Sequence, residues 1–179
     1  LRQNVYKGAQ KMIIENGKTL HLFGKNMSYV LFINNQGDLV HYHFGGKIAD
    51  RDYAEYLPWY ADLRSYAPMG ETGLEHIKQE YPAFGYMDHR KPAYTVVNAD
   101  NNPISRLKYK SHVIYDGKYT VDGMPSLFAG NSKVQTLEVI LADEVAGFDV
   151  VLYYSVYDEY DIVTRAVKFV NTGNKEISI

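Results

Sequence analysis

Apolar and polar positions alternate with a period of two along much of the chain, most clearly between residues 134 and 173. Leu137, Val139 and Leu141 share one face of a first segment, and Phe148, Val150, Leu152, Tyr154 and Val156 share one face of a second. In a third, Val163, Arg165, Val167 and Phe169 fall on one side and Ile162, Thr164, Ala166 and Val170 on the other. Successive side chains of a strand point to opposite faces, so this alternation of β-branched and aromatic residues predicts three strands. Residues 143–147 and 158–161 supply the turns, and such short connections make the trio an antiparallel meander.

Residues 12–46 repeat the pattern in four shorter units, broken at Asn16-Gly17, at Gly24-Lys25-Asn26 and at residues 34–38. Asn and Gly accept the positive φ that tight hairpins need. Residues 106–125 predict another hairpin turning at Asp116-Gly117, and residues 93–97 the start of a further strand. One segment breaks the rule: the acidic opening of residues 50–66 predicts a short helix interrupted at Pro58. The sum is about ten strands with one long irregular excursion, an all-β antiparallel β-sandwich.

A chain of 179 residues suits one domain with a sizeable core. Its 19 Lys and Arg against 21 Asp and Glu give a net charge of −2, with no basic footprint for nucleic acid or anionic lipid. With no cysteine, neither a disulfide framework nor a thiolate site can form, which fits a cytoplasmic protein. No apolar run approaches the roughly 20 residues that span a bilayer. Met12 offers an alternative start, so residues 1–11 are read as a possible extension and residues 12–179 as the domain.

The candidate chemistry is sparse. His41 and His43 stand two apart, which on a regular strand aims both imidazoles to one side, where His21, His89 or His112 could add a third metal ligand. The competing reading has both on a solvated face, with Val40, Tyr42 and Phe44 packed inward. It is preferred, because no carboxylate partner or cysteine lies nearby. The carboxylate pairs Asp50/Asp52, Asp158/Asp161 and Glu71/Glu75 are sequence neighbours in turns, whereas glycoside hydrolysis uses two carboxyls held about 5–9 Å apart, usually on separate elements. Asp88, His89 and Arg90 resemble an acid, a base and an anion clamp. Between Pro82, Gly85 and Pro92, however, they read as backbone scaffolding, with Asp88 pairing Arg90 or accepting main-chain donors. No phosphate loop or nucleophile elbow occurs. Seventeen tyrosines allow a sugar-binding surface, but a β-protein with tyrosine on both strand faces explains them as well.

Three blocks, in order, resemble the N-terminal domain of glycoside hydrolase family 36 α-galactosidases, the bacterial melibiose- and raffinose-hydrolysing group. "EYPAFGYMDHRKPA" is similar through Tyr81, Pro82, Gly85, Asp88, Arg90, Pro92 and Ala93, and "SHVIYDGKYTVDGMPSLFA" through Ser111, His112, Gly117, Lys118, Gly123 and Pro125, with Met124 where leucine is usual. The third block, the strand trio, is similar through Asp161, Ile162, Val163, Thr164, Arg165, Asn171 and Gly173. The resemblance implies a β-supersandwich of galactose-mutarotase-like architecture that precedes a (β/α)8 barrel holding both catalytic aspartates. No catalytic residue, metal or cofactor is then expected here.

The resemblance also implies a sandwich that is incomplete at its C-terminal end, and from this we expect either a homo-oligomer or edge-to-edge contact, or closure by the N-terminal strand. In the tetrameric branch of the family a loop of this domain reaches a neighbour's galactose pocket. The excursion after "HYHFGGKI" is the matching place, with Asp50, Asp52, Trp59 and Arg64 as the residues to contact an α-galactoside. The partners implied are the catalytic barrel and further copies of the chain. The alternatives are a stand-alone carbohydrate-binding β-sandwich and a metal-dependent enzyme built on His41 and His43.

Overall fold

The computed structural model describes residues 11–56, 77–85, 90–98 and 100–179. Among the described residues, eight strands form two antiparallel four-stranded sheets in sequential order. The first sheet holds β1 (Ile13–Asn16), β2 (Thr19–Phe23), β3 (Met27–Ile33) and β4 (Leu39–Gly46), and its turns fall at the three predicted breaks. The second holds β5 (Lys108–Asp116), β6 (Val134–Asp143), β7 (Phe148–Tyr157) and β8 (Val163–Asn171), the last three being the predicted meander.

The core lies between the sheets. Leu20, Leu22, Tyr29 and Leu31 from the first face Leu137, Val139, Leu152, Tyr154 and Val156 from the second, all buried. Two strands are buried on both faces, which is why "YVLFI" in β3 and "VVLYY" in β7 read as continuous apolar runs. The outer face of β3 is covered by the segment after β4, where Ala54 and Ile77 pack on Phe32 and Val40. The outer face of β7 is covered by residues 117–133.

That second covering corrects the predicted hairpin at Asp116-Gly117. The chain does turn there, with Gly117 at φ 102°, but it then lies flat across the sheet instead of returning as a strand. Tyr119 stacks on Tyr153 with ring centroids 3.5 Å apart and planes 4° from parallel. Lys118 Nζ donates to Ser126 Oγ and to the Leu127 carbonyl, each at 2.7 Å, and closes the loop on itself. The strand expected at 93–97 reduces to a single bridge, Val97 with Ser178. Tyr94 is instead drawn into the core, its ring on Tyr81 and its hydroxyl 2.7 Å from Ser105 Oγ. Of the helix expected within 50–66, the described residues hold one 3-10 turn, Tyr53–Tyr56, and residues 57–66 lie outside the described residues.

A β-bulge overturns the expected facing of β4. Leu31 pairs with His41 but Val30 pairs with His43, so Tyr42 is an extra residue and the alternation reverses across it. His41 therefore joins Leu31 on the core side, and His43 joins Val30 on the outer side. Val40 is buried as expected, though against Phe32 on the outer face, whereas Tyr42 and Phe44 are exposed.

Gly17, at φ 60° in the β1–β2 turn, has Asp52 so close that a Cβ would sit 2.0 Å from its Oδ2. Gly123, at φ 75°, has nothing within 4 Å. Gly123→Ala is expected to cost only the backbone strain, about 1 kcal/mol. Gly17→Ala should cost at least about 2 kcal/mol, because the carboxylate must also move. Urea unfolding of both variants checks this, and equal losses would contradict the close approach.

Candidate functional site

Two polar clusters lie beside the segment that the sequence pointed to. The first is the start of the excursion, residues 47–56, which crosses the outer face of the first sheet. Asp52 is anchored there by three donors: its Oδ1 accepts Thr19 Oγ1 at 2.9 Å and the Ala54 amide at 3.1 Å, and its Oδ2 accepts the Lys18 amide at 3.3 Å. It caps the 3-10 turn, as a short carboxylate ahead of such a turn does. Thr19 completes the anchor by accepting the Tyr53 amide at 2.8 Å. Asp50 is a third exposed, its Oδ1 lying 3.5 Å from Nδ1 of the fully buried His21. Trp59 and Arg64, the other two residues expected to contact sugar, lie outside the described residues.

The second cluster is centred on Glu80, whose side chain is 2% exposed. Its backbone continues the first sheet: the Glu80 amide donates to the Leu39 carbonyl, the His41 amide to the Lys78 carbonyl, and Gln79 bridges Val40. This aims the carboxylate into the gap between the sheets. Oε1 accepts the Tyr29 hydroxyl from β3 at 2.6 Å, the Tyr154 hydroxyl from β7 at 2.9 Å and Arg165 from β8 at 2.8 Å. Oε2 is 2.9 Å from His41 Nδ1 on β4. Burial holds the Tyr29 and Tyr154 phenols well above their usual range, and the Glu80 charge adds to it. A carboxylate beside a histidine and an arginine looks like an acid/base centre. Here four donors from four strands converge on a carboxylate that is itself 2% exposed, so the cluster joins the sheets.

Glu80 was missed from the sequence, although it opens the block "EYPAFGYMDHRKPA". The signal lay in Arg165, the one charge on the apolar side of its strand, since a guanidinium at a core edge requires an acidic partner. Nearby, Arg90 donates to the Ile77 carbonyl, and Asp88 and His89 lie outside the described residues. The bulge separates His41 and His43, which bond to Glu80 and to the Gly46 carbonyl. Among the described residues no group of three or more His, Cys, Asp or Glu is arranged to hold a metal ion. A cleft of about 350 Å³ lies between the 117–133 loop and β7–β8, lined in part by Tyr119, Met124, Leu127, Thr164 and Val167, with no carboxylate or imidazole in its wall for acid/base work.

The family model described as "Glycosyl hydrolase family 36 N-terminal domain" matches residues 37–179. This chain belongs to that family. Over 168 residues it is 32% identical to alpha-galactosidase AgaA of Geobacillus stearothermophilus, covering 90% of this chain and 23% of the relative. It is 35% identical over 170 residues to the bifunctional alpha-galactosidase/sucrose kinase AgaSK of Mediterraneibacter gnavus, covering 92% and 18%. The crystal structure of the GH36 alpha-galactosidase AgaB from Geobacillus stearothermophilus superimposes with a TM-score of 0.79 at 30% identity, over 93% of this chain and 23% of that one. The chain thus spans less than a quarter of the length of these relatives. As a family 36 N-terminal domain it carries both polar clusters within the matched range, except for the partners contributed by Lys18 and by β2 and β3.

Replacing Glu80 by Gln in this family 36 domain should lower stability by about 1.5–3 kcal/mol, the worth of hydrogen bonds to a charged group. Urea midpoints test this, and a loss below about 0.5 kcal/mol would remove Glu80 from its joining role. The phenols give a pH signature. Tyr29 and Tyr154 ionise later folded than unfolded, so their contribution is complete below about pH 10 and is lost as pH rises above it. Stability should fall as pH rises above about 10 while tyrosinate absorbance grows, and less steeply in Tyr154→Phe.

Proposed function

We propose that this chain works as the non-catalytic N-terminal β-sandwich of an α-galactosidase, next to a (β/α)8 barrel that hydrolyses terminal α-galactosides of the melibiose and raffinose type. The carrying observation is the backbone match to the GH36 alpha-galactosidase AgaB, at a TM-score of 0.79 over less than a quarter of that enzyme. The described residues build a sandwich, and its most reactive-looking group, Glu80, is occupied in holding sheets together. In this reading the domain supports the barrel and the assembly of copies. It also directs the excursion after β4 to a galactose pocket, with Asp50, Asp52, Trp59 and Arg64 as its contacts.

Asp50, a third exposed beside the sheet, has the accessible carboxylate that a sugar hydroxyl requires. Asp52 also serves the loop as its anchor and fixes where the loop begins. No helix among the described residues is long and apolar enough to cross a membrane. A cytoplasmic location is part of the proposal, supported by a chain of 179 residues without cysteine.

The test is to titrate the isolated chain calorimetrically with galactose, melibiose and raffinose and to assay it on a chromogenic α-galactoside. Neither turnover nor saturable binding in the low millimolar range is expected, because the pocket needs the barrel. Saturable binding by the chain alone would make it a self-sufficient sugar-binding module. Turnover abolished by substituting one of its own carboxylates would overturn the reading.

A further inference from the structure

The outer face of the first sheet holds a buried polar pair, His21 and Ser28, that neither the core nor the sugar reading uses. His21 on β2 and Ser28 on β3 are both fully buried, with Nε2 and Oγ 2.8 Å apart. Ser28 Oγ also accepts the Ile48 amide at 3.1 Å, and His21 Nδ1 lies 3.5 Å from Asp50 Oδ1. Ile48 and Asp50 belong to the same segment, so the strap grips the sheet twice, once at each end of a serine–histidine pair.

The order Asp, His, Ser is the one that activates a nucleophile. Here both Ser28 and His21 have no exposed surface, and the hydroxyl is held by the Ile48 amide, so nothing can reach it for attack. The proton positions follow from the partners. A carboxylate oxygen facing Nδ1 requires that nitrogen to carry the ring proton, which leaves Nε2 to accept from the Ser28 hydroxyl. At 3.5 Å the Asp50 contact is an attraction between charge and N–H dipole that falls short of a full hydrogen bond. Phe23 stacks on the imidazole with centroids 3.7 Å apart, and Tyr53 meets it edge-on at 6.3 Å.

We propose that the chain Ile48 N–H, Ser28, His21, Asp50 is a proton-operated clasp: closed while the imidazole is neutral, it pins residues 47–53 to the sheet and sets the position of the Asp50 carboxylate. The groups that act on His21 are Asp50 and Lys47 from the strap and His43 from β4, with Ser28 from β3 as the hydrogen-bond partner. Burial holds His21 below its ordinary value, against the pull of Asp50, and His43 and Lys47 push in the same direction as burial.

The sign follows. An opened strap returns the imidazole to an ordinary value near 6.5, whereas the closed one keeps it neutral. The clasp is therefore fully favoured above about pH 6.5 and weakens as pH falls below it, by at most tenfold in the opening constant per pH unit for one proton. That Asp50 contacts sugar rests on the reading proposed above, but the clasp itself does not.

The experiment is an NMR titration of the 179-residue chain from pH 7.5 to 5.0. It follows the His21 ring together with amide exchange at Ile48 and Tyr53, corrected for intrinsic rates. His21 should titrate below 6.5, and opening at Ile48 and Tyr53 should rise by up to tenfold per pH unit, while β7 amides hold their protection. Asp50→Asn should move the His21 titration lower still, since it removes the group that favours the imidazolium. His21→Gln should abolish the pH dependence. If that variant does not fold, the wild-type and Asp50→Asn titrations decide alone. Titration at or above 6.5 with flat exchange, or an unchanged pH response in His21→Gln, overturns the clasp. None of these readouts requires sugar, so a failure of sugar binding leaves them unmoved.

Discussion

The hydrogen bonds and ion pair converging on Glu80 are the constraint from which the rest of the sandwich takes its geometry. Apolar contacts hold the sheets together without specifying their relative placement, since they are non-directional and tolerate sliding. A single carboxylate that must receive Tyr29, Tyr154, Arg165 and His41 at 2.6–2.9 Å from four strands tolerates little. Burying the charge is costly, so the arrangement is favourable only when every donor is in place. That all-or-none quality fixes the register of β3 and β7 across the core. It also ties residues 78–80 to the edge of β4, although they follow a long excursion.

The same economy explains the two coverings outside the sheets. β3 and β7 are the most apolar strands and each has a second hydrophobic face that water would penalise. The segment after β4 and the loop after β5 supply the missing layer, each held by a few directional contacts: Asp52 with Thr19 in one, Tyr119 with Tyr153 in the other. A loop stitched down at its start can carry a long extension without loosening the sheet beneath it, because each doubling of loop length adds only about 0.6 kcal/mol of closure entropy. Recognition residues set on such an extension can vary while the fold stays intact.

Where the sequence spoke clearly, it spoke through period and punctuation. The meander of β6 to β8 and the breaks of β1 to β4 are local facts, set by alternation and by Asn, Asp and Gly at the turns. Illegible features depended on partners distant in sequence. The bulge at Tyr42 reverses a strand's faces through its pairing with Val30 and Leu31, and no composition rule marks it. The 117–133 segment has strand-like residues, but Tyr153 offers Tyr119 a stacking surface that a free hairpin lacks. Glu80 was hidden because its donors lie 51 and 74 residues away in Tyr29 and Tyr154. Of the site residues, Asp50 and Asp52 could be singled out by type. Their different duties, one facing a buried imidazole and the other capping a turn, required the sheet to be in place.

The two clusters differ in a way that bears on how the domain responds to its surroundings. Three of the four partners of Glu80 keep their protons through the physiological range, two phenols whose ionisation burial postpones and a guanidinium, and His41 is the fourth. Neutral and mildly acidic conditions therefore leave the Tyr29, Tyr154 and Arg165 bonds of the joint undisturbed. His21 sits on an outer face and under a strap, away from the Glu80 joint. A proton can then shift the start of the excursion without loosening the sandwich, because the groups it alters and the groups that hold the sheets together share no hydrogen bond.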